Sequence, residues 1–155
     1  MKNHLLIIIL FSFLLVKCSK SENDPMIKHN TSLVIKAGFM CGWGSGQDSL
    51  IISSTTIKYV YSAPARSQIP VINTERQTTA AEWNDILNSI NYSNFSKLNY
   101  NTCNICVDGC DEWISIKNIS VSHQIRFGLG LKIDSIKSLQ AIIEQLRSEF
   151  RKGSI

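Results

Sequence analysis

Histidine is scarce in this sequence, which has only three among its 155 residues. His4 precedes an apolar segment, His29 lies in a polar stretch, and His123 lies in a predicted strand, where a lone histidine is usually structural. The sequence shows no spaced set of His, Ser and Asp and no paired carboxylates suited to acid–base catalysis. We therefore predict that the protein is not an enzyme and that it uses no cofactor.

A run of basic residues is also missing. The nearest approach is residues 147–152, which Glu149 interrupts. The formal net charge is +4, and it falls to +2 if residues 1–17 are removed, because two lysines and no acid leave with them. So weak a charge argues against nucleic acid as a partner.

The glycine-rich segment 42–46 lacks the features of a nucleotide-binding loop. No Lys-Ser or Lys-Thr pair follows it, and the next segment has the pattern of a strand rather than of a helix. Ser45 is not a nucleophile elbow, because Trp43 and Gln47 stand where that motif has glycines. Trp43 is instead a candidate binding anchor on a flexible loop, although it could equally fold back onto the sheet.

The longest apolar segment, residues 5–16, has twelve residues. A membrane-spanning helix needs about twenty, whereas a short basic start, an apolar stretch and a cysteine are typical of a signal peptide. These residues resemble the bacterial lipoprotein signal, in which an aliphatic residue, here Leu15, lies three places before the lipid-bearing cysteine, here Cys18. Lys17 departs from the pattern, which has a small residue there. An ordinary signal peptide, with Cys18 as a bystander, is the alternative.

The resemblance identifies residues 1–17 as a signal peptide, and composition and length then predict a tether (18–30) and one globular domain (31–152). The tether is polar and has no apolar period, which indicates a flexible segment. What remains after cleavage has the length of a single domain. We expect the protein in the cell envelope, attached to the membrane through a lipid such as palmitate, on the periplasmic face or the cell surface.

The domain is predicted to have an α+β fold, with an antiparallel sheet of about five strands and two amphipathic helices packed on one face. Residues 63–78 contain two prolines and are expected to form a loop, with at most a short edge strand at residues 71–72. Residues 91–104 are also expected to form a loop. Alternating patterns predict the strands at residues 31–40, 49–53, 57–61, 112–117 and 122–127.

Sequence signals at their ends define the two helices. The first begins near Thr79, which has capping-box spacing with Glu82. The second has apolar residues at three-to-four spacing, is capped by Asp134 or Ser135, and ends at Gly153. Each helix therefore has an apolar face that must pack against the sheet.

Four cysteines remain once Cys18 is set aside: Cys41, Cys103, Cys106 and Cys110. An even number of cysteines in an exported chain indicates disulfide bonds. A bridge from Cys41 to one of the later three would tie together one end of the sheet, but the sequence does not choose among the possible pairings. Four thiolates could also bind a metal such as zinc. The oxidising compartment favours disulfides, and we expect no bound metal.

Three carboxylates lie close together at Asp108, Asp111 and Glu112. Such a group of oxygen atoms can hold calcium, while Asp108-Gly109 is also an ordinary turn signal. The segment is expected at the same end of the sheet as the Trp43 loop. Trp43, Asp108 and Asp111 are therefore the candidate residues of a binding loop.

Several features together resemble small uncharacterised lipoproteins of the Bacteroidota with a domain of unknown function. These are the lipobox cysteine, the Cys-Gly loop after the first strand, the helix with Trp83, the Asp-Gly turn and the amphipathic terminal helix. The resemblance implies no known substrate. We expect a disulfide-braced binding or structural module with an envelope protein or a glycan as its partner. The alternatives are an inhibitor of a secreted or host enzyme and a metal-binding protein that uses the cysteines.

Replacing Cys18 by alanine should abolish lipid attachment and release the protein from membranes, because the thiol of Cys18 is the predicted acceptor of the lipid. Metabolic labelling with a fatty acid, followed by membrane fractionation, measures both effects. Cys41→Ser is the matched control and should keep its label. A Cys18→Ala chain that stays in the membrane fraction with its label intact would contradict the prediction.

Overall fold

The computed structural model describes residues 32–64 and 67–153. The predicted signal peptide and the lipidation site Cys18 lie outside these residues. The described part forms a six-stranded antiparallel sheet with three α-helices, which confirms the α+β class. The sequence predicts one strand and one short helix fewer than are observed.

The strands, in chain order, are β1 (Val34–Cys41), β2 (Gln47–Ile52), β3 (Thr56–Ser62), β4 (Ile72–Gln77), β5 (Cys110–Lys117) and β6 (Ser122–Gly128). The α-helices are α1 (Ala80–Asn88), α2 (Tyr92–Phe95) and α3 (Lys137–Lys152). Two short 3-10 helices occupy Asn104–Val107 and Asp134–Ile136.

The sheet combines a four-stranded meander with a hairpin. Its strand order is β4-β3-β2-β1-β5-β6, so consecutive strands pair everywhere except at the junction of β1 with β5. That junction places the end of β1 beside the start of β5, with Cys41 directly opposite Cys110. The antiparallel sheet was expected from the sequence, whereas the pairing of β1 with β5 was not.

The edge strand β4 corrects the sequence prediction, which assigned residues 63–78 to a loop with at most a short edge strand at residues 71–72. Ile72 to Gln77 pair with β3 along their whole length. An edge strand can be polar and largely exposed, because it needs only one neighbour and one contact with the core. The short helix α2 likewise lies within a predicted loop, where the side chain of Asn91 caps it by accepting a hydrogen bond from the Asn94 amide at 2.9 Å.

The hydrophobic core lies on one face of the sheet. Alternate residues of the inner strands are fully buried there, and both long helices contribute to the same cluster, which confirms that they pack on one face. The ring of Phe150 on α3 stacks on Tyr59 of β3 at 5.6 Å between centroids. The main buried residues are Leu33, Ile35, Ala37, Leu50, Ile52, Ile57, Tyr59, Ile86, Phe95, Ile116, Ile125, Phe127, Leu139 and Ile143.

The predicted capping of α1 is confirmed, whereas that of α3 is wrong. The Thr79 hydroxyl accepts a hydrogen bond from the Glu82 amide, and the Glu82 carboxylate accepts one from the Thr79 amide. Residues 134–136 instead form a 3-10 turn, and no side chain caps α3. Gln140 fixes the entry to α3, because its side-chain oxygen accepts from the Ile133 amide at 2.9 Å. The predicted helix end at Gly153 is confirmed.

Arg76 ties the edge strand β4 to two helices. Its guanidinium lies 2.6 Å from the carboxylate of Glu82 on α1 and 2.8 Å from that of Glu149 on α3. The hydrogen bond from Arg76, together with that from the Thr79 amide, lowers the pKa of Glu82 to about 2. The charged form of Glu82 is therefore favoured by folding.

None of the helices in the described residues is long and apolar enough to cross a membrane.

Replacing Glu82 by glutamine should destabilise the protein by about 1 kcal/mol at neutral pH, because the cap and a half-exposed ion pair are weakened. The pKa of Glu82 is lower in the folded state than in the unfolded chain, so its contribution to stability is present above pH 4.5 and lost as the pH falls towards 2. Urea denaturation of both proteins between pH 7 and pH 2 measures the difference, which should vanish at the acid end. A difference that stays constant across this range would contradict the assignment.

Candidate functional site

Two loops meet at one end of the sheet and are joined covalently. The sulfur atoms of Cys41 and Cys110 are bonded at 2.02 Å, and the Cα atoms of this pair are 4.1 Å apart. Next to the bridge, the Gly42 amide donates to the Gly109 carbonyl at 3.0 Å. We call the end of the sheet that carries four loops the loop end; the described residues of these loops are 42–46, 63–64 with 67–71, 103–109 and 129–133. The first and third of these loops form one continuous rim.

The second disulfide bond lies within the third loop and joins Cys103 to Cys106. The two bridges therefore confirm the disulfide prediction and give the pairing that the sequence left open. All four sulfur atoms are held in these bonds, so none is a thiolate ligand. In the described part of the chain, no three His, Cys, Asp or Glu side chains come together as a metal site.

Asp111 braces the third loop from the inside. Its carboxylate is fully buried and accepts hydrogen bonds from the Thr102 hydroxyl at 2.7 Å and from the Ile105 amide at 3.2 Å. Burial alone would raise the pKa of Asp111, but these hydrogen bonds, one from the Asn104 amide and the charge of Arg126 together outweigh burial, so the pKa is lowered. Of the predicted binding-loop residues, Asp111 is thus placed beneath the surface, where it holds the loop in shape.

Asp108 lies at the exposed tip of the same loop. Its backbone has a φ of 62°, in the left-handed region that aspartate tolerates better than most residues. The Gly109 amide then donates to the Asn104 carbonyl at 2.8 Å, which closes the turn. The Asp-Gly pair therefore forms the tight turn that one reading of the sequence predicted, and it presents the Asp108 side chain to solvent.

Trp43 projects from the first loop, with 71% of its surface exposed. Within this loop, Gly44 and Gly46 have φ values of 84° and 73°, in the left-handed region that favours glycine. At Gly46 a β-carbon would also clash with the Ser62 carbonyl. The sequence left open whether Trp43 points outward or folds back onto the sheet, and the structure places it outward.

Exposed apolar side chains are concentrated at the loop end. Eight large apolar residues are exposed in the described part of the chain, and six of them lie on the four loops at this end. A concentration of exposed apolar side chains at one end of a fold is a candidate interaction surface. The six residues are Trp43, Ile69, Val71, Val107, Leu129 and Leu131.

A cavity of about 640 Å³ lies between α3 and the sheet and reaches the loop end at Ser45 and Leu129. Its volume falls within the range of small-molecule sites. Phe39, Phe127 and Ile143 form part of its apolar lining. Apolar walls with a few charged groups could hold one side chain or one small ligand.

Glu112, Arg147 and Arg151 line one wall of this cavity and form a charged network with the buried Asp48 behind it. The carboxylate of Asp48 is fully buried and accepts hydrogen bonds from the Phe39 amide at 3.0 Å and from Arg151 at 3.1 Å. Arg147 lies 3.4 Å from Asp48 and 2.7 Å from Glu112. Burial raises the pKa of Asp48, and the charges of Arg147 and Arg151 oppose that rise.

Sequence reasoning missed this network. Asp48, Glu112, Arg147 and Arg151 come from β2, β5 and α3, and no short motif links them. The spacing of Arg147 and Arg151 does predict that they share a helix face. Nothing in the sequence indicates that this face turns toward a buried acid.

No family model matches the chain, and no curated protein matches it.

Replacing Asp48 by alanine should destabilise the fold by about 3 kcal/mol, because the guanidinium of Arg147 stays buried after losing one of its two acids. Asp85→Ala is the matched control, since Asp85 is exposed on α1. Its effect should stay within about 0.5 kcal/mol. Urea denaturation at pH 7 measures both. Equal stabilities for the two variants would show that the Asp48 network does not hold α3 on the sheet.

Proposed function

We propose that this protein is a lipid-anchored binding module of the cell envelope, and that its loop end docks on an apolar patch of another envelope protein. The observation that carries the proposal is the placement of six exposed apolar side chains on four loops at one end of the sheet. Tryptophan contributes disproportionately to protein interfaces, which makes Trp43 the expected centre of the contact.

The direction of β1 supports this arrangement. Strand β1 begins at Val34, which pairs with Lys117 at the end of the sheet opposite the loop end. A lipidated tether that precedes β1 would therefore join the domain at the far end from Trp43. The proposed docking surface would then be free to meet a partner while the lipid stays in the membrane.

The covalent bracing of the rim also suits a binding role. The Cys41–Cys110 bridge, the hydrogen bond from Gly42 to Gly109, and the buried Asp111 restrain the first and third loops before any partner arrives. A surface that is already ordered loses less conformational entropy on binding. The same rigidity would serve an inhibitor of a secreted or host enzyme, which is the second candidate. In that case the apolar patch recognised by Trp43 would lie beside an active site.

Trp43→Ala should fold normally but lower the recovery of a partner from detergent-solubilised envelopes by at least tenfold, as expected for an interface hot spot. Ile119→Ala is the matched control, because Ile119 is 88% exposed at the opposite end of the sheet. Quantitative mass spectrometry of material co-purified with the wild-type chain and with each variant measures the effect, and thermal melting verifies folding.

Recovery that is unchanged by Trp43→Ala, or equally reduced by Ile119→Ala, would reject the loop end as the docking surface. To separate the two candidates, the wild-type protein and the Trp43→Ala variant are assayed against a panel of lysozymes and proteases. Inhibition that depends on Trp43 would assign the loop end to an enzyme inhibitor.

A further inference from the structure

The face of the sheet that points away from the helices carries more basic than acidic side chains. Strand alternation and register place Lys36, Lys58, Lys117 and Arg126 on this face, which we call the open face. Among the residues that the structure describes, its acids are the exposed Glu75, which lies directly opposite Lys58, and the buried Asp111. Elsewhere in the described chain, Asp and Glu outnumber Lys and Arg. The weak net charge of the whole sequence therefore hides a local excess of positive charge.

The three lysines of the open face are free of ion pairs with any described residue. Lys36 and Lys58 lie in one cross-strand row with Ile51 between them, so their strands are about 10 Å apart. Arg126 donates to Asn101 through one nitrogen, while its Nε is buried without a hydrogen-bond partner in the described part of the chain. Lys36 and Lys117, which are exposed and unpaired among the described residues, can therefore bind an external anion, whereas Glu75 lies directly opposite Lys58.

Trp113 lies among these cations. It is directly opposite Gly38 on β1 and Arg126 on β6. A β-carbon built on Gly38 would come within 2.8 Å of the indole ring, so the ring lies over this glycine. Trp113 is half-buried, whereas Lys36 and Lys117 are exposed. The aromatic side chain thus forms a platform within the face rather than a projection from it.

Neutral hydrogen-bonding side chains lie among these groups, next to half-buried apolar residues such as Ile51 and Val60. Ser115 and Gln124 continue the cross-strand row of Lys36, and Ser49 lies opposite Gly38. Hydroxyl and amide groups can both donate and accept hydrogen bonds. The face therefore combines cations for carboxylates, polar groups for hydroxyls, and an aromatic surface for the apolar side of a sugar ring.

We propose that the open face binds an acidic polysaccharide, a chain of sugars that carries carboxylates. The proposal relies on the envelope location argued above but not on the loop end. A second copy of this chain fits poorly, because the lysines of one face would meet those of the other. A membrane is also a poorer fit, because an aromatic side chain that anchors a protein to a membrane projects from the surface, whereas the ring of Trp113 lies within the face.

The test measures the affinity of the polyuronate alginate for the full-length lipidated protein, which is held in neutral phosphatidylcholine nanodiscs. Binding should weaken with added salt, because the contacts are ionic. Lys36→Gln/Lys117→Gln should weaken it by about tenfold. The matched control is Lys97→Gln/Lys137→Gln, which removes the same charge from exposed positions outside the open face and should change affinity less than about twofold.

Three results would overturn the proposal. The first is failure of the wild-type protein to bind alginate, or equal binding of neutral dextran. The second is equal loss of affinity in both double variants, which would indicate a general charge effect. The third is a stronger interaction with another partner. Tighter binding of oligo(dT) than of alginate would assign the face to nucleic acid. If phosphatidylglycerol nanodiscs protect Lys36 from chemical acetylation while alginate does not bind, the face would be assigned to the membrane.

Discussion

The carboxylate of Asp48 is fully buried on the sheet face against which helix α3 packs. It binds the Phe39 amide, the Tyr59 hydroxyl and two arginines of α3, so one side chain connects three strands with one helix. A buried charge is costly unless it is paired and hydrogen-bonded, so the helix must lie where Arg147 and Arg151 can reach it. This requirement adds to the apolar packing of α3 in fixing where the helix lies on the sheet. Because Arg147 and Arg151 line the cavity beside α3, their pairing with Asp48 also sets the position of one cavity wall.

The loop end depends on a second constraint, the pairing of β1 with β5. This pairing sets Cys41 opposite Cys110 and allows the bridge that joins two loops far apart in sequence. The buried carboxylate of Asp111 then orders the loop on the β5 side. Exposed apolar side chains such as Trp43 are consequently carried on a restrained frame. The same sheet presents its cations on the open face, so the two proposed surfaces are spatially separate.

Local patterns predicted most of the secondary structure. The alternation in β1, β5 and β6 and the capping box at Thr79 specify their elements through side-chain periodicity and nearest-neighbour hydrogen bonds, which a sequence displays directly. The edge strand β4 was missed because its residues are polar and its pairing with β3 supplies the missing stabilisation. The start of α3 was misplaced because Gln140, rather than Asp134, holds the preceding turn.

The sequence by itself determined the α+β class, most of the elements, the presence of disulfides and the candidate loop with Trp43. Only the tertiary structure decided which cysteines pair, that Asp111 is buried while Trp43 is exposed, and that Asp48 meets arginines of α3. The physical reason is the range of the interactions. Periodicity and capping act over a few residues, whereas the pairing of β1 with β5 joins segments about seventy residues apart and decides which side chains share a surface.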